Sequence, residues 1–180
     1  MSLTESTMVK LGSIAPDFSL QNTNGEHMCL DDFKSEVLVV IFTCNHCPYA
    51  KAVEDRIIEL GNNYNGKADF VLINSNDVEN YPADSPEKMA ELARNKNYPF
   101  PYLFDETQEV ARAYSAVCTP DIFLYNSERK LEYRGRIDDN WQNPSQVTRE
   151  ELKMAMNSVL SGNSVEFKQI PSMGCNIKWK

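Results

Sequence analysis

Val37 to Phe42 is an unbroken apolar run rich in β-branched residues, the pattern of a strand covered on both faces. Behind it, Val53, Ile57, Leu60 and Tyr64 recur at spacings of four, three and four, which predicts one buried helical stripe. Gly61 and Gly66 bracket its end, and Phe70 to Ile73 reads as the next strand. Ser85-Pro86-Glu87 offers an N-cap followed by proline in the first turn, ahead of Met89, Leu92 and Ala93. Asp105 with Gln108 and Thr148 with Glu151 both have capping-box spacing. They predict helices through Val110, Tyr114 and Val117, and through Leu152, Ala155, Val159 and Leu160, the latter stopped at Gly162. Two hairpins are expected. One turns at Asn24-Gly25 between Phe18–Leu20 and His27–Leu30, the other at Asn126-Ser127 between Ile122–Tyr125 and Lys130–Arg134. Residues 1–10 read as flexible, and residues 163–180 as a tail whose Ile177 and Trp179 pack on the domain.

Strands separated by helices, then a hairpin and a last helix, imply one three-layer α/β/α domain over residues 1–180 with a mixed central sheet. Its net charge of −8 argues against a nucleic-acid partner or an anionic membrane surface. No stretch approaches a membrane span. The first ten residues lack the basic and apolar regions of a secretory signal, so a cytoplasmic location is expected. Cysteines stand at 29, 44, 47, 118 and 175. In a reducing compartment such an odd set is no disulfide scaffold, and a close pair is catalytic or metal-binding.

That pair is Cys44-Asn45-His46-Cys47, placed where the central strand passes into the first helix. A disulfide exchanger needs an accessible thiolate to attack and a second thiol to release the mixed intermediate. At a helix start only one sulfur of such a motif is well exposed, which makes Cys44 the nucleophile and Cys47 the resolver. The helix N-terminus and an imidazolium at His46 would both favour the Cys44 thiolate. At about 5 Å and an effective dielectric near 20, the imidazolium would contribute on the order of 3 kcal/mol. A solvated, inert His46 is the competing reading. Zinc would require four ligands, drawn from Cys44, Cys47, His46 and a distant Cys118 or Cys175, and no second CxxC exists. Neither metal nor organic cofactor is expected. Cys118 and Cys175 read first as packing residues and second as further redox thiols; Cys29 reads as core. Arg134 and Arg136 read as a solvated edge before an anion site.

With these residues the chain resembles the thioredoxin-like superfamily, in its redoxin branch akin to the alkyl hydroperoxide reductase/thiol-specific antioxidant family. The likeness rests on Ala15-Pro16-Asp17-Phe18, on Val39 to Tyr49 with its Cys-Asn-His-Cys-Pro-Tyr centre, and on Thr119-Pro120-Asp121, and it covers about residues 10–160. It implies a thioredoxin-like fold with an N-terminal β-hairpin extension. It also implies a cis-proline at Pro120 opposite the cysteines, with Thr119 offering its backbone to an extended substrate. The implied activity is thiol-disulfide exchange on protein or small-molecule disulfides, recharged by a thioredoxin-reductase or glutathione type of thiol system. The alternatives are a thiol-dependent peroxidase and a redox-silent or zinc-stabilised interaction domain. Three positions depart from relatives of this kind: Thr43 replaces a tryptophan, Leu38 a buried aspartate and Ala50 a glutamate. No matched base for Cys47 remains, leaving His46, Lys51, Asp121 or water. Neither cysteine has the Pro-x-x-x-Thr-x-x-Cys context of peroxiredoxins.

Overall fold

A computed structural model describes residues 3–180. Its centre is β4 (Val37–Phe42), buried along its whole length. It runs parallel to β5 (Ala68–Asn74), which runs parallel to β6 (Tyr102–Phe104). On the other side β4 pairs antiparallel with β8 (Asp121–Tyr125), and β8 with β9 (Leu131–Arg134). The hairpin β2 (Ser19–Asn22) and β3 (His27–Cys29) extends the sheet beyond β6, giving the order β3-β2-β6-β5-β4-β8-β9. The sheet is mixed, as the sequence predicts.

Alternation along β4 explains the two cores. Val37, Val39 and Ile41 pack with Val53, Ile57 and Leu60 of α1 (Pro48–Asn63), with Met89 of α2 (Pro86–Asn95), and with Leu152, Ala155 and Met156 of α4 (Glu151–Leu160). Leu38, Val40 and Phe42 point the other way, onto Val110 and Ala111 of α3 (Glu109–Ala113) and onto Tyr114. Helices therefore cover both faces, and the α/β/α expectation holds.

Several local expectations need correction. Residues 1–10 are not uniformly loose: β1 (Leu3–Glu5) pairs with β10 (Met173–Asn176), while residues 1 and 2 lie outside the described residues. β6 was not predicted, because three residues behind Pro99 and Pro101 show no period. Neither capping box forms. Asp105 accepts from the amides of Val110 and Ala111, but the Gln108 side chain leaves for the carbonyls of Ser75 and Lys178. Thr148 bonds Asp139, and Glu151 pairs with Arg136. Cys29 is half-buried rather than core, its thiol donating to Asp32.

The tail packs on the domain through β10, which forms a second, three-stranded sheet with β1 and β7 (Cys118–Thr119). The Ile177 amide then donates to the Val117 carbonyl at 3.0 Å. The Lys178 amide donates to Asn76 Oδ1 at 2.8 Å, and the Arg112 guanidinium lies 4.4 Å from the centre of the Trp179 ring.

Candidate active site

The strand-to-helix junction places both thiols at the head of α1, where Cys47 is the N-cap and Pro48 the first helical residue. Proline costs little there, since the first-turn N–H has no intrahelical partner. The two side chains pack into one buried cluster with Ala50. Opposite them, the Thr119–Pro120 peptide is cis. The Cys47 thiol donates to the Thr119 carbonyl at 3.1 Å, and Thr119 Oγ1 lies 3.7 Å from Cys44 Sγ.

Exposure departs from the sequence expectation. Cys44 is only 4% exposed and Cys47 fully buried, so Cys44 is the outer sulfur without being an open one. It forms one wall of a shallow crevice with Thr43, Ala50, Lys51, Tyr98 and Tyr102.

His46 does not act on Cys44 alone. Its Nδ1 lies 3.8 Å from Cys44 Sγ but 2.6 Å from Asp84 Oδ2, and its ring stacks on Tyr81 at 5.4 Å. Nε2 is buried without a hydrogen-bond partner among the described residues. Asp84 also accepts from the amides of Asn45 and His46 and from Asn76 Nδ2, which fastens the cysteine loop to the segment before α2. Nothing in the sequence singles out Asp84. It stands some forty positions away among ordinary surface-type residues, and only folding brings it beneath the loop.

This acid shifts the balance between the thiols. Cys44 is pushed up by donating its proton to Cys47, by burial and by the nearby Asp84 carboxylate. Cys47 is pulled well below the usual thiol range by accepting from Cys44, against the opposing effect of burial, with the Ala50 amide at the helix head assisting. The two thiols are coupled, so the first proton lost belongs to the pair and not to either sulfur alone. The sequence reading put the charge on Cys44; burial and the Asp84 carboxylate behind His46 work against it there.

Cys44, His46 and Asp84 hold ligand atoms within 4.8 Å of one another. A tetrahedral zinc with bonds of about 2.0 Å would hold the nitrogen and the oxygen about 3.3 Å apart. The observed 2.6 Å is a hydrogen bond, so the arrangement is an acid–imidazole pair beside a thiol.

Of the base candidates for Cys47, Asp121 faces Cys118 instead. Its Oδ2 takes the Val117 amide at 3.1 Å, while Oδ1 is buried without a partner among the described residues. Burial raises its carboxyl from 3.8 to about 6. A folded-state value above the unfolded one gives stability that is complete below about pH 4 and lost as pH rises through about 6, roughly 3 kcal/mol in all. Asp121→Asn is expected to flatten that decline in urea unfolding followed across the same window.

Cys118 is buried, donates to the Pro120 carbonyl and is pushed up by burial and by Asp121, as a packing thiol would be. Cys175 is different. β10 brings it opposite Thr119, into one cluster with Cys44, Cys47 and Ala50. The Thr119 edge that the resemblance offers to an extended substrate is therefore filled by the chain's own strand. Arg134 bonds Gln169 and Arg136 bonds Glu151, which commits both away from an anion. A cleft beside Pro120 is lined by Tyr49, Val53, Trp141, Pro171 and Met173.

The whole chain overlays a solved structure of an uncharacterized conserved protein from Geobacillus kaustophilus, with a TM-score of 0.96 and 48% identity over 100% of this chain and 97% of that one. The thioredoxin domain of a thiol-disulfide oxidoreductase from Bacteroides vulgatus shares the fold, with a TM-score of 0.55 and 21% identity over 71% of this chain and 91% of that one. Peroxiredoxin Bcp of Escherichia coli K12 is 29% identical over 106 residues, 59% of this chain and 64% of that protein, so less than two-thirds of the relative is spanned. Residues 11–134, which carry β2 through β9 and both cysteines of the centre, match the model of the AhpC/TSA family, and the chain belongs to that family.

Proposed function

We propose that the protein is a thiol-disulfide oxidoreductase that cycles Cys44 and Cys47 between dithiol and disulfide. The observation that carries this reading is two thiols packed together at a helix head, against a cis-proline peptide. Transfer of the Cys44 proton to Cys47 moves the charge outward as a guest disulfide approaches. Cys44 then attacks one guest sulfur and the other leaves as a thiolate. Cys47 attacks Cys44 in turn, releasing the second guest thiol and closing the Cys44–Cys47 disulfide. His46, bridging Cys44 and Asp84, modulates the proton transfer. With Thr119 already paired to β10, the reading favours disulfides presented at the Cys44 crevice, on small molecules or flexible protein segments, over extended strands. A thioredoxin-reductase or glutathione type of thiol system would restore the dithiol in the cytoplasm.

A thiol-dependent peroxidase is the second reading. Its support is the likeness to peroxiredoxin Bcp and the Thr119 hydroxyl beside Cys44, a threonine supplied across space and not within the cysteine's own motif. Dithiothreitol-driven turnover separates the two. Reduction of a model protein disulfide is expected to outpace hydrogen peroxide consumption, and the reverse order would overturn the exchange reading in favour of the peroxidase.

A further inference from the structure

Three sulfurs meet at the head of α1. The register of β10 on β7 sets Cys175 against Thr119 and Asn176 against Cys118. Cys175 is 2% exposed and packs in one buried cluster with Cys44 and Cys47. Its neighbour Gly174 shows how closely the strand is pressed to the site. A Cβ there would stand 1.9 Å from the Thr119 carbonyl oxygen and 3.3 Å from Tyr49 Cβ. On its outer side β10 is held by β1. The chain thus presents a cysteine to its own thiol pair on the very edge where an extended guest would lie.

We infer that Cys175 is a third redox thiol, one that exchanges with the Cys44–Cys47 disulfide to give a Cys47–Cys175 disulfide and a regenerated Cys44 thiol. This rests on the cycling pair proposed above. The step is redox-neutral. The Cys175 thiolate attacks Cys47 Sγ, the Cys47–Cys175 bond forms and the Cys44–Cys47 bond breaks. The electron pair leaves on Cys44 Sγ, which takes up the proton that Cys175 has lost. No oxidant is needed beyond the guest that closed the first disulfide.

Charge supplies the order of events. In the dithiol protein, burial, the hydrogen bond to Cys47 and the charge on Cys47 push Cys175 up to about 11, against the nearby Lys178. Closing Cys44–Cys47 removes both effects of Cys47 and leaves burial, so the Cys175 proton is held less tightly once a disulfide stands beside it. Cys118 has no comparable place, since its thiol is turned to Pro120. The outcome is an oxidised protein that keeps its entry thiol reactive.

The test uses the full chain, one equivalent of diamide, quenching with N-ethylmaleimide and non-reducing peptide mapping, on variants with native circular dichroism. Cys44→Ser is expected to yield a Cys47–Cys175 cross-linked peptide in most molecules. Oxidised wild type is expected to contain Cys44–Cys47 together with a labelled Cys44 fraction that carries Cys47–Cys175. In Cys175→Ala, label on Cys44 in the one-disulfide protein should fall by about tenfold or more. The exchange is overturned if Cys47 and Cys175 both carry label in oxidised Cys44→Ser. It is equally overturned if oxidised wild type and Cys175→Ala label Cys44 alike. Absence of any Cys44–Cys47 peptide in wild type would instead overturn the cycling pair itself.

Discussion

Cys44→Ser is expected to lower dithiothreitol-driven disulfide reduction by about 10³-fold or more, because loss of a nucleophile removes the covalent route and not merely a contact. Cys47→Ser is expected to behave differently. Its Cys44 can still attack, but the resolving sulfur is gone, so a mixed disulfide at Cys44 should accumulate and appear as a mass increase under non-reducing conditions. In this variant Cys44 remains beside Asp84, which disfavours the thiolate, so capture should be slow and should quicken with rising pH. Capture by Cys44→Ser with none by Cys47→Ser would invert the roles and sink this assignment.

Gly174→Ala is expected to be the most damaging glycine-to-alanine substitution. The added methyl would collide with the Thr119 backbone at 1.9 Å and 2.8 Å, and backbone cannot swing aside as a side chain does. Overpacking of this kind costs about 3 kcal/mol, the upper end of the usual range. For a chain of this size that corresponds to a fall in melting temperature of roughly 6–12 °C. Gly12→Ala is the matched control. Its φ of +81° is strained for alanine but nothing lies within 4 Å, so a cost of about 1 kcal/mol is expected. If β10 peels away to relieve the clash, Cys47 should also become labelled far faster by iodoacetamide. Equal melting temperatures for the two variants would show that β10 is not pressed against β7 as described.

The sheet and its two helical layers were legible because β4 and α1 announce themselves by period, and the cysteine centre because it lies between them. What the residues could not announce was long-range. β6 has three residues and no pattern. Asp105 and Thr148 have the spacing of capping boxes, yet Gln108 and Glu151 find stronger partners in Lys178 and Arg136. Asp84 and Cys175 carry the chief surprises of the site, and each reaches it from a separate part of the chain. Spacing within the motif fixes which thiols pair. The acid behind His46 adds negative charge beside Cys44, and that depends on a segment whose sequence resembles any polar turn.

The late position of β10 has a consequence for biosynthesis. Cys44 leaves the ribosome about 130 residues ahead of the strand that will shield its partner, and a single domain folds as a unit. Until that strand emerges, the Thr119 edge has no partner and the dithiol no cover. Arrival of Met173–Asn176 closes both at once. Maturation of the centre is thus timed by translation, with the final strand as its seal.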